Sequence, residues 1–192
     1  MKRIIAVMAL ALFVAGTAMA QQEELSFERK QAIDTLALEK VRDLEKYIQI
    51  VGSKQTHWSE ASRVIDRAEE LFMSNAKIGV SSVATKEVKL YGVRAYLEHL
   101  HMLNYDRVEI EWYNIEYVSD LQRQPDGTYV GVITIFQTFR GYDKEGHLAY
   151  KDTTKKDITV YVKRKETQIG GRIIGFWDVL LGDMRVKETV NK

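Results

Sequence analysis

The stretch Tyr105-Asp106-Arg107-Val108-Glu109-Ile110-Glu111-Trp112-Tyr113-Asn114-Ile115-Glu116-Tyr117 decides the fold. Before it, apolar residues recur at helical steps. From it onward they alternate. Val108, Ile110 and Trp112 share one face of an extended chain, because successive strand side chains point to opposite sides. Ile115 and Tyr117 continue on the other parity. A one-residue slip in a period-two pattern is what a β-bulge produces, and a bulge bends the strand and curls its sheet.

Downstream, the alternation predicts three more strands, over 128–140, 147–163 and 171–185, after a first strand at 105–120. Gln124-Pro125-Asp126-Gly127 and Asp143-Lys144-Glu145-Gly146 carry the residues of tight turns, and Gly170-Gly171 ends the loop into the last strand. Short links make neighbouring strands pair antiparallel, as a meander. Two of these strands are apolar on both faces. In the second, Tyr129, Ile133, Ile135 and Phe139 oppose Val130, Val132 and Phe136; in the fourth, Ile173, Trp177, Val179 and Leu181 oppose Ile174, Phe176 and Leu180. Helices cover one face of such a sheet. A second copy of the chain is the expected cover for the other, giving a homodimer through the outer sheet face.

Upstream, Ile33, Leu36, Val41, Leu44, Ile48 and Val51 predict a long helix over 24–51, with Ser26 as its cap, Gly52 at its end and a charged, solvated far side. A second helix is expected over 57–75 around Ala61, Val64, Ile65, Ala68, Leu71 and Phe72, capped by Thr56 or Ser59, with Trp58 stapling the inter-helix turn. Two short extended pieces follow, around Ile78-Val80-Val83 and Val88-Leu90. A third helix over 92–103 carries Val93, Tyr96, Leu97, Leu100 and Leu103. The fold class read from this order is α+β: three helices packed on a strongly bent antiparallel meander sheet.

The first twenty residues have a different character. Lys2 and Arg3 precede the apolar run Ile4–Ala15, and Ala18-Met19-Ala20 has the small-x-small pattern of a signal-peptidase site. The run is too short for an ordinary membrane span. The expectation is a cleavable signal peptide, removed after Ala20, and a periplasmic or secreted product with no membrane anchor after cleavage. Removal leaves 172 of the 192 residues, enough for one domain with a proper core. Lys2 and Arg3 leave with the leader, so 26 basic residues face 27 acidic ones and the net charge is −1. That balance argues against nucleic acid as a partner. The chain has no cysteine, which excludes disulfides, thiol nucleophiles and zinc–thiolate sites.

Few polar residues suggest chemistry. Asp178 shares strand parity with Ile174, Phe176 and Leu180; on a concave face its pKa would rise and it would suit a general acid or base. On the outer face it would be solvated or paired with a lysine or arginine. His99 and His101 sit two apart on a predicted helix, about 200° around it, so they do not form a metal pair. No metal or cofactor is expected. No Gly-x-Ser-x-Gly elbow or phosphate-binding loop is present. Lys155-Lys156 and Lys163-Arg164-Lys165 read as a solvated edge strand. Trp112, Tyr113, Tyr117, Phe136 and Trp177 are the candidates for an aromatic pocket, with plain core as the competing role.

Two amphipathic helices, a short strand pair, a third helix and a long bent meander resemble the nuclear transport factor 2-like family of cystatin-like α+β domains. More narrowly, Tyr105–Trp112, Gly131-Val132-Ile133-Thr134-Ile135-Phe136-Gln137 and Trp177-Asp178-Val179-Leu180-Leu181-Gly182-Asp183 are similar to exported proteins of the Bacteroides group with such a domain. The resemblance implies a conical sheet with a pocket between its concave face and the helices. It divides the chain into the leader at 1–20, the long helix and turn at 21–56 and the nuclear transport factor 2-like domain at 57–192, with 21–192 one folding unit. Isomerases of that family use a buried Tyr–Asp pair and a separate carboxylate, and no spacing here singles out such a set. The expectation is therefore an exported, non-catalytic module that binds a small apolar ligand or an envelope protein. The alternative is an isomerase or dehydratase-type enzyme using a pocket carboxylate.

Overall fold

A computed structural model of the chain describes residues 25–83 and 87–190. The predicted signal peptide lies outside the described residues. Helix α1 runs Phe27–Gly52, α2 Trp58–Glu69 and α3 Val93–His101. The strands are β1 Lys77–Val80, β2 Lys89–Gly92, β3 Arg107–Arg123, β4 Tyr129–Tyr142, β5 Leu148–Ile169 and β6 Arg172–Val190. One six-stranded sheet runs in the order β2-β1-β6-β5-β4-β3.

Ser26 caps α1, accepting from the Arg29 amide. Helix α2 starts where expected but ends at Glu69, short of 75, and its N-cap is His57, not Thr56 or Ser59. Trp58 packs on His101 of α3, at 5.4 Å between rings. Ile33, Ala37, Val41, Leu44, Ile48 and Val51 line one buried stripe of α1, as the helical period requires. They pack over Ile110, Ile133, Ile135, Ile158, Val160, Val162, Val179, Leu181 and Met184 on the sheet.

The bend comes from bulges. Between β3 and β4 the register shifts at Tyr113/Glu116, where Asn114 has a φ of 50°. This is the slip predicted from Ile115. Further shifts follow along β3, and β5–β6 shifts between Ile158 and Val160. Extra residues on one strand increase its local twist, so the sheet curls around α1 and α3. Three helices on a strongly bent sheet are the α+β architecture, in the element order that the nuclear transport factor 2-like resemblance implies. The four long strands form the predicted antiparallel meander. The short strands complete it differently, since β1 pairs parallel with β6 at Ile78↔Met184.

The turns follow their residues. Gly127 and Gly146 take φ of 80° and 83° at the ends of the two five-residue hairpin loops. Gly170 and Gly171 form a two-residue turn with φ of 57° and 80°, the sign pair of a type I′ hairpin. Strand β5 has 22 residues. At about 3.3 Å each it outreaches a domain of this size. The ends of β5 and β6 therefore project as a two-stranded ribbon, on which Ile169 and Ile173 are exposed.

From Thr153 to Val162 strand β5 is not an edge. It lies between β4 and β6, which corrects the reading of Lys155-Lys156 as a solvated edge run. Lys155 lies on the outer face over the Phe136 ring, while Lys156 is only 2% exposed on the inner face.

Candidate functional site

The inner face is set by one parity. Asp152, Thr154 and Lys156 precede Ile158, Val160 and Val162 along β5, all facing inward. Opposite them in register stand Phe139, Gln137 and Ile135 of β4. Towards the first three the inner face opens into a cavity of about 340 Å³. Its sheet wall is Gln137, Phe139, Tyr150, Asp152, Thr154 and Lys156. Its helix wall is Tyr96, His99 and Leu100 of α3, followed by Leu103 and Tyr105. Val80, Ser81, Ser82 and Tyr91 form the rim. The volume suits a small ligand, at the lower end of the usual range.

The wall is apolar at one end and ionisable at the other. Tyr105, Phe139 and Tyr150 pack edge to face in a row, at 5.8 and 5.9 Å between ring centres. Tyr105 lies flat over Gly141, where a Cβ would meet its ring at 2.6 Å. Asp152, 5% exposed, accepts a 2.7 Å hydrogen bond at Oδ2 from the Tyr150 hydroxyl. That hydroxyl accepts in turn from the Val83 amide. Burial raises the Asp152 pKa, against the smaller lowering effects of Tyr150 and Lys156. Burial and then Asp152 push the Tyr150 hydroxyl up to about 12. Burial lowers the Lys156 ammonium to about 8, and Asp152 holds it from falling further. Lys156 Nζ donates to Gln137 Oε1 at 3.4 Å and lies 5.8 Å from the Tyr96 ring centre. Gln137 Oε1 also accepts from Trp112 Nε1, which fixes the amide's orientation. Thr154 joins a hydroxyl chain through Thr189 to Ser81. His99 packs edge-on against Tyr91, while His101 turns away to the Val51 carbonyl, so the two histidines part as helical geometry requires.

The five aromatic candidates do not form this cavity. Trp112 stands behind its wall through the Gln137 bond. Tyr113 is exposed and stacks on Phe136 at 5.5 Å, and both lie on the outer face. Tyr117 faces inward near Asp34 of α1, where burial and then that carboxylate raise its pKa. Trp177 packs edge-on against Tyr129, on the far side of Val162 from the cavity. Asp178 lies opposite Lys163, on the outer parity, and pairs with Lys165 at 2.5 Å. The outer-face alternative for Asp178 is the one the structure adopts. The carboxylate in the cavity is Asp152, which the sequence reading passed over. Its signal was present: it continues the inward parity of Ile158, Val160 and Val162 by three steps.

No protein-family model matches the chain, and no curated protein does. Among solved structures it is similar to a candidate scytalone dehydratase from Novosphingobium aromaticivorans, with 11% identity, a TM-score of 0.44 and coverage of 86% of this chain and 91% of that one. It is also similar to a type 2 hexachlorocyclohexane dehydrochlorinase, LinA, with 12% identity, a TM-score of 0.40 and coverage of 83% and 91%.

Proposed function

We propose that this protein is a small-molecule enzyme of the isomerase or dehydratase type, with Asp152 as the group that takes a proton from carbon beside a carbonyl. The observation that carries this reading is a single one. A carboxylate with a raised pKa sits in the wall of a partly apolar cavity, held by Tyr150 and beside a buried lysine. Burying such groups costs stability unless they are paired, and perturbed acids in clefts are the usual mark of proton-transfer chemistry. Tyr150 holds one carboxyl oxygen and fixes the orientation of the group. The row of Tyr105 and Phe139 offers the ligand's other end an aromatic, apolar surface. The competing reading, a non-catalytic binding module, shares the cavity but gives no role to three ionisable groups at its polar end.

The test is exchange of α-hydrogens for deuterium in small cyclic and aryl ketones, followed by NMR in heavy water. The expected outcome is exchange by the wild type, reduced at least about 100-fold in Asp152→Asn, the usual scale for losing a general base. A ketone that binds without exchanging above the buffer rate would instead support the binding module. Export belongs to the same proposal. Protein recovered from an expressing bacterium is expected to begin at Gln21, as read by intact mass.

A further inference from the structure

We propose that Lys156 captures an aldehyde or ketone ligand covalently, as an imine on its Nζ. This deepens the reading of the cavity given above and names the carbonyl as the ligand's reacting group. The amine is placed for it. It lies in the cavity wall between Gln137 of β4 and Tyr96 of α3, both of which line the same space. Of the titratable groups that line the cavity with it, Asp152 and Tyr150 stand on its own strand, Tyr96 and His99 on α3, Tyr91 on β2 and Tyr105 ahead of β3. Asp152 is the one formal anion among them, and its influence reaches both Lys156 and Tyr96, so the three groups converge at one end of the cavity.

The chemistry balances without any co-reactant. The free amine's lone pair forms the C–N bond, and the carbonyl oxygen takes up a proton to give a carbinolamine. The oxygen then leaves as water on taking a proton from an acid, which leaves an iminium with one N–H; loss of that last hydrogen gives the imine and restores the acid. The Asp152 carboxylate, placed to take the proton that the ammonium gives up, becomes the acid for that loss of water, and the carboxylate it leaves behind faces a carbon made acidic by the iminium. The supply of free amine favours this site: a lysine at about 8 is deprotonated in about one molecule in five at pH 7.4, against about one in a thousand for an ordinary lysine.

The experiment is reductive trapping of benzaldehyde and of cyclohexanone by cyanoborohydride, with the adduct located by peptide mass spectrometry. The expected result at pH 7.4 is an adduct on Lys156 formed at least about tenfold faster than on exposed lysines such as Lys165, with a rate midpoint near pH 8. Lys156→Met and Lys156→Arg are expected to lose that adduct while keeping the wild-type circular dichroism. Labelling spread over the exposed lysines with Lys156 unmodified would overturn the proposal. So would undiminished deuterium exchange in a folded Lys156→Met. In that second case the Asp152 reading would survive. Trapping on Lys156 with no exchange of any bound ketone would uphold the capture and remove the acid–base role of Asp152.

Discussion

At the scale of residues, Lys156 gives a stability signature independent of any ligand. Its pKa is lowered on folding, so the unfolded chain holds the proton more tightly than the folded one. Between about pH 8 and the unfolded value near 10.4, only the unfolded state is protonated at this site, and folding stability rises with pH through that window. Below about pH 8 both states carry the proton and the folded protein bears the full cost of burying it, on the order of 3 kcal/mol. Denaturant titrations at pH 7.5 and pH 9.5 are expected to show this gain in the wild type and its loss in Lys156→Met. In Asp152→Asn the lysine loses the group that holds its pKa up, so the trapping midpoint is expected to move below pH 8. Gly141 offers a second test. A methyl there meets the Tyr105 ring, so Gly141→Ala is expected to cost about 1–3 kcal/mol, as overpacking does, and to weaken ketone binding by moving a cavity wall.

At the scale of elements, α3 carries Tyr96 and His99 and has only nine residues. Such a helix is marginal alone. It is held at both ends. Arg94 pairs with Asp66 and Glu69 of α2 near its start, and Lys54 Nζ donates to the carbonyls of His101 and Leu103 at its end. Lys54→Met is expected to cost about 1–2 kcal/mol in urea unfolding, the scale of charge-assisted bonds at a helix C-terminus. How far sequence reaches depends on what sets each element. The helices and strands announced themselves because one face of each is buried, and Asn114 marks the bulge through the parity change of Ile115. The outer end of β5 reads short, because residues 164–169 meet solvent on both sides and lose any alternation, while β6 starts as expected and runs on past 185 to Val190. Trp177 enters as a pocket candidate by residue type and Asp178 by a parity with both faces left open, whereas the cavity's position depends on which parity faces α3. Lys156 was hidden by its neighbour Lys155, since a pair of lysines reads as surface although their side chains leave opposite faces.

At the scale of the whole molecule, the outer sheet face keeps exposed Ile174 and Phe176 beside half-buried Val130, Val132, Phe136 and Leu180. We retain the homodimer through this face as a proposal. Sedimentation velocity at micromolar concentration is expected to give a dimer, and Phe176→Asp a monomer with an unchanged cavity; a wild-type monomer at high concentration would remove the proposal. The contact between β1 and β6 has a consequence of another kind. Ile78 meets Met184, and Ser81 at the cavity rim meets Thr189, across more than a hundred residues of chain. A polypeptide emerging from its N-terminus onward holds three finished amphipathic helices and an unfinished cone until its last strand arrives. Its slow step is then loop closure over that distance, and its exposure to aggregation and proteases lasts as long as that closure takes.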